Sequence, residues 1–464
     1  MSHAPANSTP ALRRRPAFPL LVAVLVASGL VAGVLVAVSQ TILPGVAVEG
    51  VPVGGLRRAE AEKRLRAELN ALLSHPVYLK HGPEQSEVSP GEVGLVADIP
   101  ATLAAACAPG HRGSLPRRLR AWLSAAQGVE VPLPAVVRWK EEVFQRWLAE
   151  LRGRHGQAAV EAGWRVLPSG LVEVTPAAVG RDVHDGELRR RLRAAAFAPS
   201  GGRTVELPLY TVHPRRSTDK ALSLGITEVV ARYRTYFDRG DANRTENIRL
   251  AAETMDQAVL QPGETFSFNQ TVGPRIPDSG YREAPVVVNG RLVPGIGGGV
   301  CQVSSTLYNA VLLADLAVVT RHRHSIPSAY VPPGRDATVA YDYFDFRFRN
   351  PHEWPVVIDL ELGAGWLEAR VLGRKPPGEK IELRSEVLET YPPTAEEVPD
   401  PELPPGQRVV VANGAPGYRV KVWLIRYRDG VEVERRLVSH DRYQPLRALV
   451  RVGAAAQSGL PARH

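Results

Sequence analysis

Gly295, Gly297, Gly298 and Gly299 lead into Cys301, and an apolar pattern of helical period begins directly behind it. Glycines adopt backbone angles closed to other residues and let a ligand approach the main chain. A helix starting there aims its unpaired N–H groups, and the positive end of its dipole, back at the glycine turn. A thiol so placed gains thiolate character, and an acyl oxygen brought to it meets main-chain donors. The competing reading is a small buried hydrophobe at a helix start.

His322 and His324 follow, spaced so that in a strand both rings face the same side. His324 adjoins a turn at Ser325 to Pro327 and is the first choice to take a proton from Cys301 and return it to a leaving amine. His322 would then orient the substrate or the base. A surface strand alternating Arg and His is the plainer alternative. One thiolate and two imidazoles would also make three zinc ligands with an open fourth position. No carboxylate or further cysteine stands at firm metal spacing, so no metal and no cofactor are expected. Arg335 follows the turn Pro332-Pro333-Gly334 and offers a planar fork to a peptide carboxylate. Asp336 would orient a histidine, unless the two merely pin the loop as an internal pair. Gln302, Ser304 and Ser305 fall in the first helical turn beside Gly298 and Gly299. They are candidates for substrate contact, although polar residues there commonly cap the helix.

The chain that must position these groups has 464 residues, too many for one core, so several domains are expected. Hydrophobic residues at 44% and charged residues at 23% are ordinary for folded protein. A net charge of +9 favours anionic surroundings such as nucleic acid or an acidic cell envelope. Residues 17–38 decide between them. They carry no charge and as a helix would span roughly 33 Å, enough for a bilayer core. Arg13, Arg14 and Arg15 precede the run, which places residues 1–16 in the cytoplasm and everything after the 17–39 anchor outside. Ala37-Val38-Ser39 offers a signal-peptidase site, but the apolar run exceeds a usual signal-peptide core. Nucleic acid is thereby excluded. Outside the cell a lone thiol is a liability unless it has work to do, and the two cysteines, Cys107 and Cys301, fall in separate predicted domains.

Val88-Ser89-Pro90 with Val93-Gly94 returns as Val174-Thr175-Pro176 with Val179-Gly180, each copy preceded by helix then strand and followed by a helix. This is a tandem duplication of one α+β unit, over residues 46–130 and 131–215. Neither copy carries clustered acids, histidines or glycine loops suited to catalysis, and Cys107 falls on an apolar helix face as an inert thiol. Arg112, Arg117, Arg118 and Arg120 read as a solvated helix face. The third block, 222–374, opens with a mixed helix, and Asn243 or Thr245 would cap the helix that follows. Strands flank the hairpin signal Asn289-Gly290. Residues 375–455 open on a proline-rich acidic linker and become alternating strands, a small all-β module, before a disordered tail at 456–464. The fold class is therefore α+β multidomain.

The strings ANRTENIRLAAE, LQPGETFSFNQTVGPR, GYREAPVVVNGRLVPGIGGGVCQVSSTLYNAVLLADL and RHRHSIPSAYVPPGRDATVAY carry a close resemblance to the VanW family. The duplicated units resemble the peptidoglycan-binding domains that usually precede a VanW domain, and the last module resembles the five-glycine type of surface domain. The resemblance implies an accessory protein of vancomycin-resistance clusters or an L,D-transpeptidase that cross-links peptidoglycan stem peptides through a cysteine acyl-enzyme. The expectation is a single-pass cell-membrane protein with its bulk outside. Its partners would be peptidoglycan, its stem peptides and the cytoplasmic membrane. Transpeptidation or carboxypeptidase action would pass through Cys301. The alternative is a non-catalytic wall- or glycopeptide-binding envelope protein.

Overall fold

The computed structural model describes residues 41–112, 114–288 and 291–453. The anchor expected at 17–39, the tail at 456–464 and the Asn289-Gly290 turn lie outside the described residues. Among the described residues no helix is long and apolar enough to cross a membrane.

The chain forms two compact units, one of residues up to 159 with 179–213, the other of 160–178 with everything from 214. In the first, β1 (Val46–Val48), α1 (Arg58–Ser74), β2 (Val77–His81), β3 (Leu95–Ala97) and α2 (Ile99–Cys107) form the first copy of the repeat. The second copy begins with β4 (Val131–Leu133), β5 (Val137–Trp139) and α3 (Glu141–His155), and ends with α4 (Asp185–Ala196) and β6 (Thr204–Glu206). The copies do not fold as separate beads. β1 pairs in parallel with β4, β3 antiparallel with β5, and β2 in parallel with β6. The reason is in the sequence: each copy's helix buries one leucine stripe (Leu65, Leu69 and Leu73 in α1; Phe144, Leu148 and Leu151 in α3) and needs strands from both copies to cover it. The Gly163–Val166 and Val172–Thr175 hairpin of the second copy belongs to the other compact unit.

The second unit is built around one helix. β7 (Glu228–Tyr236) and α5 (Ala242–Met255) precede β8 (Ala258–Leu260) and β9 (Thr265–Ser267). The hairpin β10 (Glu283–Val288) and β11 (Arg291–Ile296) delivers the chain to α6 (Val300–Leu313). β12 (Ala317–Thr320), β13 (Arg347–Arg349), β14 (Val356–Gly363) and β15 (Trp366–Gly373) complete it. The sheets run β7-β15-β14-β8 and β9-β13-β12. Nearly every residue of α6 is buried, with Val303, Leu307 and Val311 fully so, and Leu307→Ala would cost about 2–5 kcal/mol. The mixed helix expected at the start of this block is only Thr218–Ser223, because the β-branched run after it goes into β7. Asp241, rather than Asn243 or Thr245, caps α5, accepting from the Arg244 amide at 2.9 Å.

The C-terminal module is all β. β16 (Glu379–Tyr391), β19 (Gly417–Arg428) and β20 (Val431–Tyr443) form one sheet; β17 (Ala395–Asp400), β21 (Ala448–Gly453) and β18 (Arg408–Ala412) form another. The proline-rich acidic stretch expected as a linker is part of this fold. Its acids Glu396, Glu397 and Asp400 are strand side chains, Pro399 lies on the edge strand β17, where no ladder donor is needed, and Pro401 and Pro405 fall in the turn that follows.

Candidate active site

Gly299 occupies the N-cap of α6 with φ +109°, and Gly298 lies so close to β10 that an added Cβ would sit 2.7 Å from the Ala284 carbonyl oxygen. Only glycine serves at either place. The turn therefore presses on the hairpin and leaves Cys301 in the first helical turn, partly exposed, its Sγ 3.4 Å from the Val339 carbonyl.

Across from the thiol stands His324. Its ring hydrogen-bonds to Cys301, while Nδ1 lies 2.5 Å from Asp336 Oδ2, which leaves Nε2 to face the sulfur. The Asp336 carboxylate also accepts from the His324 amide (2.7 Å), the Tyr443 hydroxyl (2.5 Å) and Arg321 Nη2 (3.1 Å). Arg321 extends the network to Asp441 at 2.7 Å. Tyr443 and Asp441 sit on β20 of the C-terminal module, and the Gly334 amide donates to the same tyrosine oxygen at 3.0 Å. A cysteine, a histidine and an aspartate are thus lined up in the order that catalysis by a thiol nucleophile requires.

The electrostatics follow the geometry. Burial would push the Cys301 thiol up, but the hydrogen bond and charge of His324, aided by Arg275, outweigh it and leave the thiol below its ordinary value. Burial would depress His324, yet its bonds to Asp336 and Cys301 push it up to about 10. Asp336, which burial alone would raise, is held down to about 2 by His324, Arg321 and Tyr443. Both shifts favour a thiolate beside an imidazolium over the neutral pair. Tyr330, raised by burial and by the thiolate's charge, stays a neutral phenol next to it.

Other expected site residues take different parts. His322 does not share a strand face with His324: β12 has ended, one bridge joins His322 to Thr338, and its ring packs on Phe344 at 4.9 Å. Arg335 turns its Nε to Asn309 Oδ1 at 2.6 Å, and its guanidinium lies 4.8 Å from the Tyr233 ring. It does not pair with Asp336, whose partner is Arg321. Ser304 and Ser305 are fully buried and hold the 337 segment: Ser304 Oγ donates to Ala337 O at 2.6 Å, and the Ala337 amide donates to Ser305 Oγ at 2.9 Å. Gln302 is buried too, donating to Tyr236 O (2.9 Å) and accepting from Arg244 (2.9 Å). Gly298 O accepts from Asn247 at 2.9 Å. Of the turn amides, Gly297, Val300 and Gln302 have carbonyl partners (3.0, 3.2 and 2.9 Å), whereas the Cys301 amide has none among the described residues. Among the described residues no three His, Cys, Asp or Glu side chains are grouped to hold a metal.

Sequence reasoning missed Arg321, Tyr443, Asp441 and Arg275. Arg321 was visible as the first residue of RHRH; nothing local to Tyr443 or Asp441 marks them, because their partner lies in another module.

Residues 243–372 match the VanW-like protein family, 382–455 the G5 domain, and 86–203 a peptidoglycan binding domain. YoaR of Bacillus subtilis (strain 168), described as uncharacterized, is 36% identical over 235 residues, 51% of this chain and 76% of that protein. The vancomycin B-type resistance protein VanW of Enterococcus faecalis (strain ATCC 700802 / V583) is 31% identical over 140 residues, 29% of this chain and 51% of that protein. Among solved structures, the G5 domain of an IgA1 protease and the HP0197 G5 domain are 25% and 23% identical. Each covers 16% of this chain, 92% and 97% of its own, at a TM-score of 0.12. Fold and matches together define a mixed α/β multidomain protein that associates with the cell wall and interacts with peptidoglycan. The chain belongs to the VanW family.

Proposed function

We infer that this is a cysteine-dependent acyl transferase of the cell wall, an L,D-transpeptidase or carboxypeptidase acting on peptidoglycan stem peptides. The Cys301 thiolate attacks a peptide carbonyl, and the oxyanion is met by the Cys301 amide. As the tetrahedral intermediate collapses, the C–N bond breaks and His324 gives its Nε2 proton to the departing amine, leaving a thioester. His324 then takes a proton from an incoming amine of a neighbouring strand, or from water, and the thiolate departs as the new bond forms. Asp336 holds the imidazole tautomer throughout. The same reading carries the localisation expected above: anchored by 17–39, with the bulk of the chain outside.

The observation that carries this is the hydrogen-bonded series Cys301–His324–Asp336. Mass spectrometry of the full chain after incubation with a wall tetrapeptide tests it. A covalent acyl adduct on Cys301, lost in Cys301→Ala, is expected. A native protein that neither forms the adduct nor trims or cross-links peptidoglycan would leave only the wall-binding role.

A further inference from the structure

Four arginines surround the thiol and its supports, and in three of them no buried guanidinium nitrogen is left without a partner. Arg321 serves Asp336 and Asp441, Arg335 serves Asn309, and Arg244 serves Gln302. Arg275 differs. It packs against the glycine turn, where a Cβ on Gly297 would come 3.1 Å from its own Cβ. Its guanidinium lies 5.4 Å from the Phe268 ring and 5.9 Å from the Tyr341 ring. Nη2 donates to Asn269 Oδ1 at 2.7 Å. Nη1 is shielded from water and has no hydrogen-bond partner.

No carboxylate among the described residues forms an ion pair with Arg275. Asp345, the carboxylate whose charge bears on it, is already bonded to Ser267 Oγ (2.6 Å) and the Asn269 amide (2.9 Å). A desolvated guanidinium donor with nothing to receive it is costly to keep, and the cost is recovered when an anionic acceptor arrives. Asn269 and Tyr341, which flank the guanidinium, also line a neighbouring surface cavity of ≈ 340 Å³ whose wall includes Asp342, Asp345 and Arg347 but neither Arg275 nor Cys301.

Resting on the acyl-transfer reading, we propose that Arg275 receives a free carboxylate of the substrate next to the scissile bond. It does what the sequence suggested for Arg335. Two sources have that chemistry: the C-terminal carboxylate of the departing residue, or a side-chain carboxylate on the acyl side. The Arg fork suits a planar carboxylate and a lysine does not reproduce it.

The test is equilibrium binding to full-length Cys301→Ala protein, which removes chemistry from the measurement. Three peptides are compared: a wall tetrapeptide, its C-terminal amide and its side-chain amide. One amide is expected to bind about 10- to 100-fold more weakly than the free acid, and Arg275→Lys, in the same background, to reduce that gap to within about threefold. Which amide fails names the source. Equal affinity for all three, no binding by any, or a gap that survives Arg275→Lys would overturn the proposal. Failure of the acyl-adduct experiment with carboxylate discrimination intact would instead sink catalysis and leave Arg275 as a recognition residue.

Discussion

Arginine does different work in the two compact units. In the first, Arg66 pairs with Glu62 one helical turn away at 3.0 Å, both side chains about half exposed (59% and 45%). Such pairs are worth only tenths of a kcal/mol. Arg203 of that unit is buried, but it donates to the carbonyls of Leu72, His75 and Ala196, closing helix ends. In the second unit Arg321, 9% exposed, lies between two carboxylates that are 2% and 10% exposed. Burial alone does not separate Arg203 from Arg321; the partner does. A carbonyl cannot titrate, so Arg203 fixes shape only. A carboxylate can, so Arg321, second to His324, helps hold Asp336 ionised.

The sharpest way to break this contrast is at His324, which Asp336 also holds. His324→Gln should lower acyl transfer by about 10²–10⁴-fold, the range for a lost general acid–base. Steady-state release of the terminal amino acid measures it, and an unchanged rate would refute the role. The pH profile has a defined sign. Iodoacetamide labelling of Cys301 should fall as pH drops through the depressed thiol value, and His324→Gln should move that fall to higher pH. Proton donation should fade as pH rises through about 10, where His324 loses its proton.

Next in size, Arg321→Met leaves Asp336 and Asp441 buried without their cation and should cost about 3–5 kcal/mol in urea unfolding. Equal stability would show that the network contributes nothing. Tyr443→Phe removes one bond to a carboxylate and should cost about 1.5–3 kcal/mol. It should also raise Asp336, whose stabilising contribution is present above about pH 3.9 and is lost as pH falls toward about 2. His324, raised in the fold, contributes below its unfolded value of about 6.5, and that contribution disappears as pH climbs through about 10. At the small end, Glu62→Ala in the first unit should cost less than about 0.5 kcal/mol. A loss as large as that of Arg321→Met would erase the distinction.

Much of the site could be read locally. The glycine lead-in, the helix and the thiol lie within one short stretch, and His324 and Asp336 are close enough along the chain to be guessed as partners. The strand reading of His322 failed because the backbone leaves the sheet after Thr320, so the two-residue spacing no longer sets a common face. Ser304, Ser305 and Arg335 were misassigned for a shared reason. A polar residue near a nucleophile reads as facing the substrate, whereas here the Ser304 and Ser305 hydroxyls are buried and spent on Ala337, and Arg335 turns its Nε to Asn309. The interleaving of the repeats was invisible, since period identifies copies but not which copy's strand each one pairs with. Tyr443 lay beyond any local signal.

That tyrosine has a consequence in time. The ribosome delivers the chain from its N-terminus, so the thiol emerges well before the strand that steadies its aspartate. Until Val431–Tyr443 is in place, Asp336 lacks a phenol and Arg321 lacks Asp441. The supports of the Cys301–His324–Asp336 series are therefore complete only once the last module has folded.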